Sequence, residues 1–167
     1  MIDELAILKE AIIAEMKASE FYKLAAEKSD DPEVKAAFNE LAAEEELHMT
    51  WLKEIYKNLV DPEKKTTEFA FETFLNDKAK KDPNVLKFSE KALASATISV
   101  AVYGIAVNME KNAVEFYQNA AARTLDPRLQ RLFNMLAEWE TGHAEQFSAV
   151  YETMMDSWWD DQGFAPY

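Results

Sequence analysis

The chain contains two histidines, and each follows a glutamate by three residues: Glu45-Glu46-Leu47-His48 and Glu140-Thr141-Gly142-His143. Positions i and i+3 of a helix share a face, so each unit can aim a carboxylate and an imidazole at one point. Oxygen and imidazole donors converging in this way suit a divalent metal. Either unit alone has a plainer explanation, because a single histidine on an apolar face is usually a satisfied core residue. Two units in phase with each other point to the two halves of one metal centre.

The elements that must position them are written in a repeat. His48 and His143 stand 95 residues apart, and the same offset maps the segment 12–52 onto 107–147 without a gap. Glu15 falls on Glu110, Glu20-Phe21-Tyr22 on Glu115-Phe116-Tyr117, Asp31-Pro32 on Asp126-Pro127, and Phe38-Asn39 on Phe133-Asn134. The period is too long for a solenoid repeat and fits a duplicated helix pair. The first helix is expected over 3–28 and the second from Asp31-Pro32 to about Asn58. The third should run from 91–97 to Arg123, and the fourth from Asp126-Pro127 to about Trp158. Aspartate at the N-cap followed by proline at the first helical position is a strong start signal.

Helical phase separates the glutamates. Glu15 lies in the apolar stripe Leu8, Ala11/Ile12, Ala18, Tyr22, and Glu110 lies likewise among Tyr103, Ala106/Val107, Ala113/Val114 and Tyr117. A carboxylate centred on a core-facing stripe is costly unless it is paired or metal-bound. Glu20 and Glu115 fall on polar faces despite repeating. Glu44 and Glu46 lack acidic counterparts (Trp139 and Thr141) and are read as solvated or as supporting residues. The expected metal ligands are Glu15, Glu45, His48, Glu110, Glu140 and His143. Glu45 and Glu140 would bridge, and Glu15 and Glu110 would be terminal. Two divalent cations about 3.5–4 Å apart repel, and bridging carboxylates offset that charge. Tyr22 and Tyr117, two turns from the stripe glutamates, are placed to donate hydrogen bonds to the opposite half-site; core packing explains them equally well.

Composition sets bounds. At 167 residues, 49% hydrophobic, with three glycines and five prolines, the chain reads as one all-α domain. Cysteine is absent, which excludes structural disulfides, thiolate-held iron–sulfur clusters and cysteine-built zinc sites. A formal charge of −13 argues against nucleic acid and anionic membranes as partners. No apolar run reaches membrane-spanning length, and the acidic start Met1-Ile2-Asp3-Glu4 is unlike a secretion signal. The expected location is the cytoplasm. Segment 60–88 has no counterpart in the repeat and is expected to be one long crossover carrying a short aromatic helix. The run Lys78–Lys81 is expected to be a solvated helix end. Ile98–Val107, apolar on nearly every side, is expected to be buried by the crossover or a second subunit. The aromatic tail 159–167 is expected to pack on the bundle or on a neighbour.

Taken together, Ala14-Glu15 with Phe21-Tyr22, Glu45-x-x-His48, Glu110 with Phe116-Tyr117, and Glu140-x-x-His143 resemble the rubrerythrin-type branch of the ferritin-like superfamily. The resemblance covers the chain outside the crossover and tail. It implies a ferritin-like four-helix bundle with one long crossover between helices two and three. It also implies two iron ions as cofactor, with manganese or zinc as substitutes, and reaction with O2 or hydrogen peroxide. Two departures qualify it. There is no cysteine-built rubredoxin domain, so electrons would come from a separate donor protein or from Fe2+ itself. The additional ligand glutamate that rubrerythrins carry three residues after the helix-three ligand is Ala113 here, as its counterpart after Glu15 is Ala18. The site is therefore symmetric, resembling bacterioferritin-type ferroxidase centres. Three roles stay open: a di-iron oxidoreductase, an iron-binding or storage protein, and a bundle with structural metals. The expected assembly is a homodimer.

Overall fold

The structure, a computed structural model, describes residues 4–61, 100–161 and 163. Four helices account for nearly all of them: α1 Glu4–Lys28, α2 Pro32–Val60, α3 Val100–Arg123 and α4 Pro127–Asp161. The two start signals behave as expected. Asp31 accepts hydrogen bonds from the backbone N–H groups of Glu33 (2.9 Å) and Val34 (3.1 Å) at the head of α2. Asp126 accepts one from Arg128 N–H (2.8 Å) at the head of α4, and the Arg128 guanidinium beside it lowers its pKa.

Short turns make α1 pack against α2 and α3 against α4 as antiparallel pairs, and the pairs then face each other. The relative direction follows from cross-contacts. Glu4, at the start of α1, accepts hydrogen bonds from Thr124 Oγ1 (2.7 Å) and from the N–H groups of Leu125 and Asp126, just past the end of α3. Helices α1 and α3 are therefore antiparallel, and the end of α2 and the start of α3 lie at opposite ends of the bundle. A connection between them has to travel the bundle's length, roughly 40 Å for helices of this size. This agrees with one long crossover. That crossover, the Lys78–Lys81 run and most of the aromatic tail lie outside the described residues.

The core is split into two apolar clusters. One joins Ile7, Leu8, Ala11, Trp51, Leu52, Tyr117, Leu132, Phe133 and Leu136 near one end. The other joins Tyr22, Ala26, Val34, Phe38, Leu41, Tyr103, Ala106 and Phe147 near the other. Phe38, Tyr22 and Phe147 stack at centroid separations of 5.7–6.1 Å. Between the clusters lies a layer of charge. Ile105 is 48% exposed and Ala101 is also exposed, because α3 packs on α4 along one face and approaches α1 along another, which leaves a third open. The cover expected over Ile98–Val107, the crossover or a second subunit, lies outside the described residues. Helix α4 runs on to Asp161, with Trp158 and Trp159 edge-to-face against each other and each about half exposed. Among the described residues, no helix is long and apolar enough to cross a membrane.

Candidate metal centre

Four helices each deliver one face to the charged layer. Glu15 comes from α1, Glu45 and His48 from α2, Glu110 from α3, and Glu140 and His143 from α4. All six are 1–3% exposed. They form two overlapping groups, Glu15–Glu45–His48–Glu140 and Glu45–Glu110–Glu140–His143, and within each group the donor atoms lie within 4.8 Å of one another. Glu45 and Glu140 belong to both groups; Glu15 and Glu110 belong to one each. The histidine contacts repeat that division. His48 Nδ1 lies 3.2 Å from Glu45, 3.3 Å from Glu140 and 3.6 Å from Glu15. His143 Nδ1 lies 3.1 Å from Glu140, 3.9 Å from Glu45 and 4.0 Å from Glu110. The geometry thus separates two shared carboxylates from two private ones, the division expected of bridging and terminal ligands.

The tyrosines are cross-wired. Tyr22 of α1 donates its hydroxyl proton to Glu110 of α3, and Tyr117 of α3 donates to Glu15 of α1. Each private carboxylate is therefore held by the opposite repeat. Leaving a buried acceptor without its donor costs about 1–3 kcal/mol. Tyr22→Phe and Tyr117→Phe should each destabilise the protein by an amount in that range, and urea unfolding of the two variants measures it.

Glu20 and Glu115 point to solvent, as their phase required. Glu46 is exposed and pairs with Lys23. Glu44 behaves differently: its Oε2 lies 3.1 Å from His143 Nε2. The repeat offered no acidic partner for Glu44, and only the approach of α2 to α4 reveals its role. Trp139, the residue matching Glu44, stacks instead on His48 at 5.1 Å between centroids.

The electrostatics suit a cation. Burial, and then the charges of Glu140 and Glu15, raise the pKa of Glu45 well above the ordinary carboxylate value; burial and Glu140 do the same to Glu110. Burial works against the charged form of His48 and His143, but the surrounding carboxylates override it and raise both. Glu140 goes the other way: burial opposes its charge, yet the two imidazoles beside it lower its pKa. Burial raises Tyr22 and Tyr117, and the nearby carboxylates add to it, so both stay protonated donors. Even so, Glu45 Oε1 and Glu140 Oε1 are buried without a well-formed hydrogen bond, although His48 Nδ1 stands 3.3 Å from the latter. A buried carboxylate oxygen without a well-formed hydrogen bond is costly. Two such oxygens, one on each shared glutamate, are what a pair of divalent cations would satisfy, and the six donors fit that pair.

A cavity of about 530 Å³ opens between α1 and α3 and reaches all four carboxylates. Ala14, Ala18 and Ala113 form part of its wall, and Ile13, Met109 and Phe116 contribute apolar surface. The small side chains at Ala18 and Ala113 leave this side of the centre open.

The family model described as Rubrerythrin matches residues 6–151. A solved structure of a hypothetical protein from Pyrococcus furiosus shares the fold, with a TM-score of 0.65 and 28% identity over 93% of this chain and 92% of that one. No curated protein matches.

Proposed function

This chain belongs to the rubrerythrin family, and on that premise we propose that it binds two iron ions and reduces O2 or hydrogen peroxide as they are oxidised. The observation that carries the proposal is the pair of shared, buried glutamates whose Oε1 atoms have no well-formed hydrogen bond, set between two histidines and two private glutamates. Glu45 and Glu140 would bridge the ions, Glu15 with His48 would complete one subsite, and Glu110 with His143 the other. Oxygen-rich donor sets with two imidazoles suit iron, and manganese or zinc would also bind. When bound, two ferrous ions supply the two electrons that peroxide reduction takes.

The chain's own residues do the rest. Glu45 and Glu140 would offset the repulsion between two bound cations. Tyr22 and Tyr117 fix Glu110 and Glu15 and, with pKa values raised, keep hydroxyl protons beside the centre. The α1–α3 cavity gives a small oxidant its route to the carboxylate side. Two aromatic-rich clusters above and below exclude bulk water along the bundle axis. With no cysteine in the chain, further electrons would come from a donor protein or from fresh Fe2+. A cysteine-free, acidic chain also suits the reducing cytoplasm.

Stopped-flow mixing of the Fe2+-loaded protein with O2 and with peroxide tests the proposal. Oxidation faster than that of free Fe2+ with at least one oxidant is expected; no acceleration with either would leave an iron-binding or structural role instead. Filling the cavity by Ala113→Leu should slow oxidation about tenfold and leave the metal stoichiometry unchanged, as metal analysis beside the kinetics would show. The reading includes a homodimer. Ile13, Met16 and Leu24 of α1 and Ile105 of α3 are 46–53% exposed, an apolar face a second copy would cover. Light scattering should give two chains, whereas a large closed shell would favour storage.

A further inference from the structure

We propose that the two metal subsites are unequal: the subsite of His143 and Glu110 binds its metal more tightly and fills first, because Glu44 backs His143 where an indole stands over His48. The inference rests on the two-metal reading and goes beyond it, since the duplicated sequence by itself makes the halves equivalent.

Every group that faces the ions is matched across the repeat. Glu15 pairs with Glu110, Glu45 with Glu140, His48 with His143 and Tyr22 with Tyr117, and each tyrosine holds the other repeat's private glutamate. The symmetry breaks one layer out. Glu44 and Trp139 occupy matching positions, each just before a shared glutamate, and each reaches across to the other helix's histidine. Glu44 Oε2 lies 3.1 Å from His143 Nε2, with the Glu44 side chain 24% exposed and that of His143 1% exposed. Trp139 instead stacks on His48 with centroids 5.1 Å apart and planes at 30°. Trp51 adds a second ring against His48 at 5.4 Å, where the repeat has Gln146. The outer side of His48 is therefore walled by indoles, while that of His143 carries a carboxylate.

The consequence follows from imidazole chemistry. Both rings turn Nδ1 toward the carboxylate cluster. Nδ1 must be free of its proton to bind a cation, so Nε2 carries the hydrogen, and at His143 that N–H donates to Glu44. A carboxylate accepting from the far nitrogen fixes the tautomer and ring orientation and makes the ligating nitrogen a better donor. It also brings a further negative charge toward the cation. Removing such a supporting partner typically costs about 10–100-fold in metal affinity. Glu44 is thus a positioning residue for one ion only. The centre would keep a resident metal at His143 beside a more exchangeable one at His48.

Anaerobic titration with Co2+, followed by its visible absorption, tests this without turnover. The wild-type protein should take up two equivalents in two resolved steps. Glu44→Gln should weaken the first step about 10–100-fold and leave the second unchanged, merging the two. In a His143→Ala background, Glu44→Gln should leave the remaining site's affinity unaltered, which a general loosening of the fold would not. Trp139→Glu gives the reciprocal readout: it should strengthen the weaker step. If no pair of Co2+ ions binds, the two-metal reading fails and this inference with it. If two bind but Glu44→Gln moves neither step, or weakens the His48 subsite as much, the inference alone is overturned.

Discussion

Glu45→Ala combined with Glu140→Ala should abolish paired metal binding and, with it, the stabilisation that metal gives the fold. Both losses follow from the same two side chains, the carboxylates shared by both groups and buried to 1% exposure. A ligand at 100 times its dissociation constant stabilises the fold by about 2.7 kcal/mol, and the double variant should lose that entirely, as urea unfolding with and without metal would show. Glu20→Ala, on the solvent face of α1, should change neither quantity. If Glu20→Ala also abolished binding, the helical phase on which the site is built would be wrong.

The second large effect is on pH. Glu45, Glu110, His48 and His143 all have pKa values raised in the folded, metal-free protein. A group whose pKa is higher folded than unfolded stabilises the fold while protonated. That contribution is complete below the unfolded pKa and is lost as pH rises through the folded one. Glu140, lowered, contributes in the opposite sense and is outnumbered. The metal-free protein should therefore lose stability as pH rises above the ordinary carboxylate and imidazole values, at up to about 1.4 kcal/mol per pH unit for each net proton released. The metal-loaded protein should not, because bound cations replace the protons. Binding must then release protons and strengthen with pH. Melting temperatures with and without Mn2+ at several pH values should diverge as pH rises. Parallel curves would mean that the buried cluster does not titrate.

Most of the buried carboxylate–histidine cluster was legible in the residues because it is periodic. An i,i+3 pair on each of two helices, and a charge centred on an apolar stripe in each of two others, are local features that survive without knowing how helices pack. The same logic set Glu15 apart from Glu20, and the structure puts one in the core and the other in solvent. The cross-wired tyrosines could be placed by position, two turns from the glutamates, although only the antiparallel approach of α1 and α3 decides which carboxylate each one meets. Glu44 was less legible for a reason the repeat itself supplies. Comparison across the duplication ranks residues that recur, and Glu44 matters because its counterpart is not a carboxylate.

The central claim is that Glu45 and Glu140 bridge two cations. A crystal of the protein loaded anaerobically with Fe2+ tests it most directly, through anomalous scattering at the iron edge. Two peaks about 3.5–4 Å apart are expected between those carboxylates, one beside His48 and Glu15 and the other beside His143 and Glu110. A single peak, or peaks lying away from Glu45 and Glu140, would contradict it.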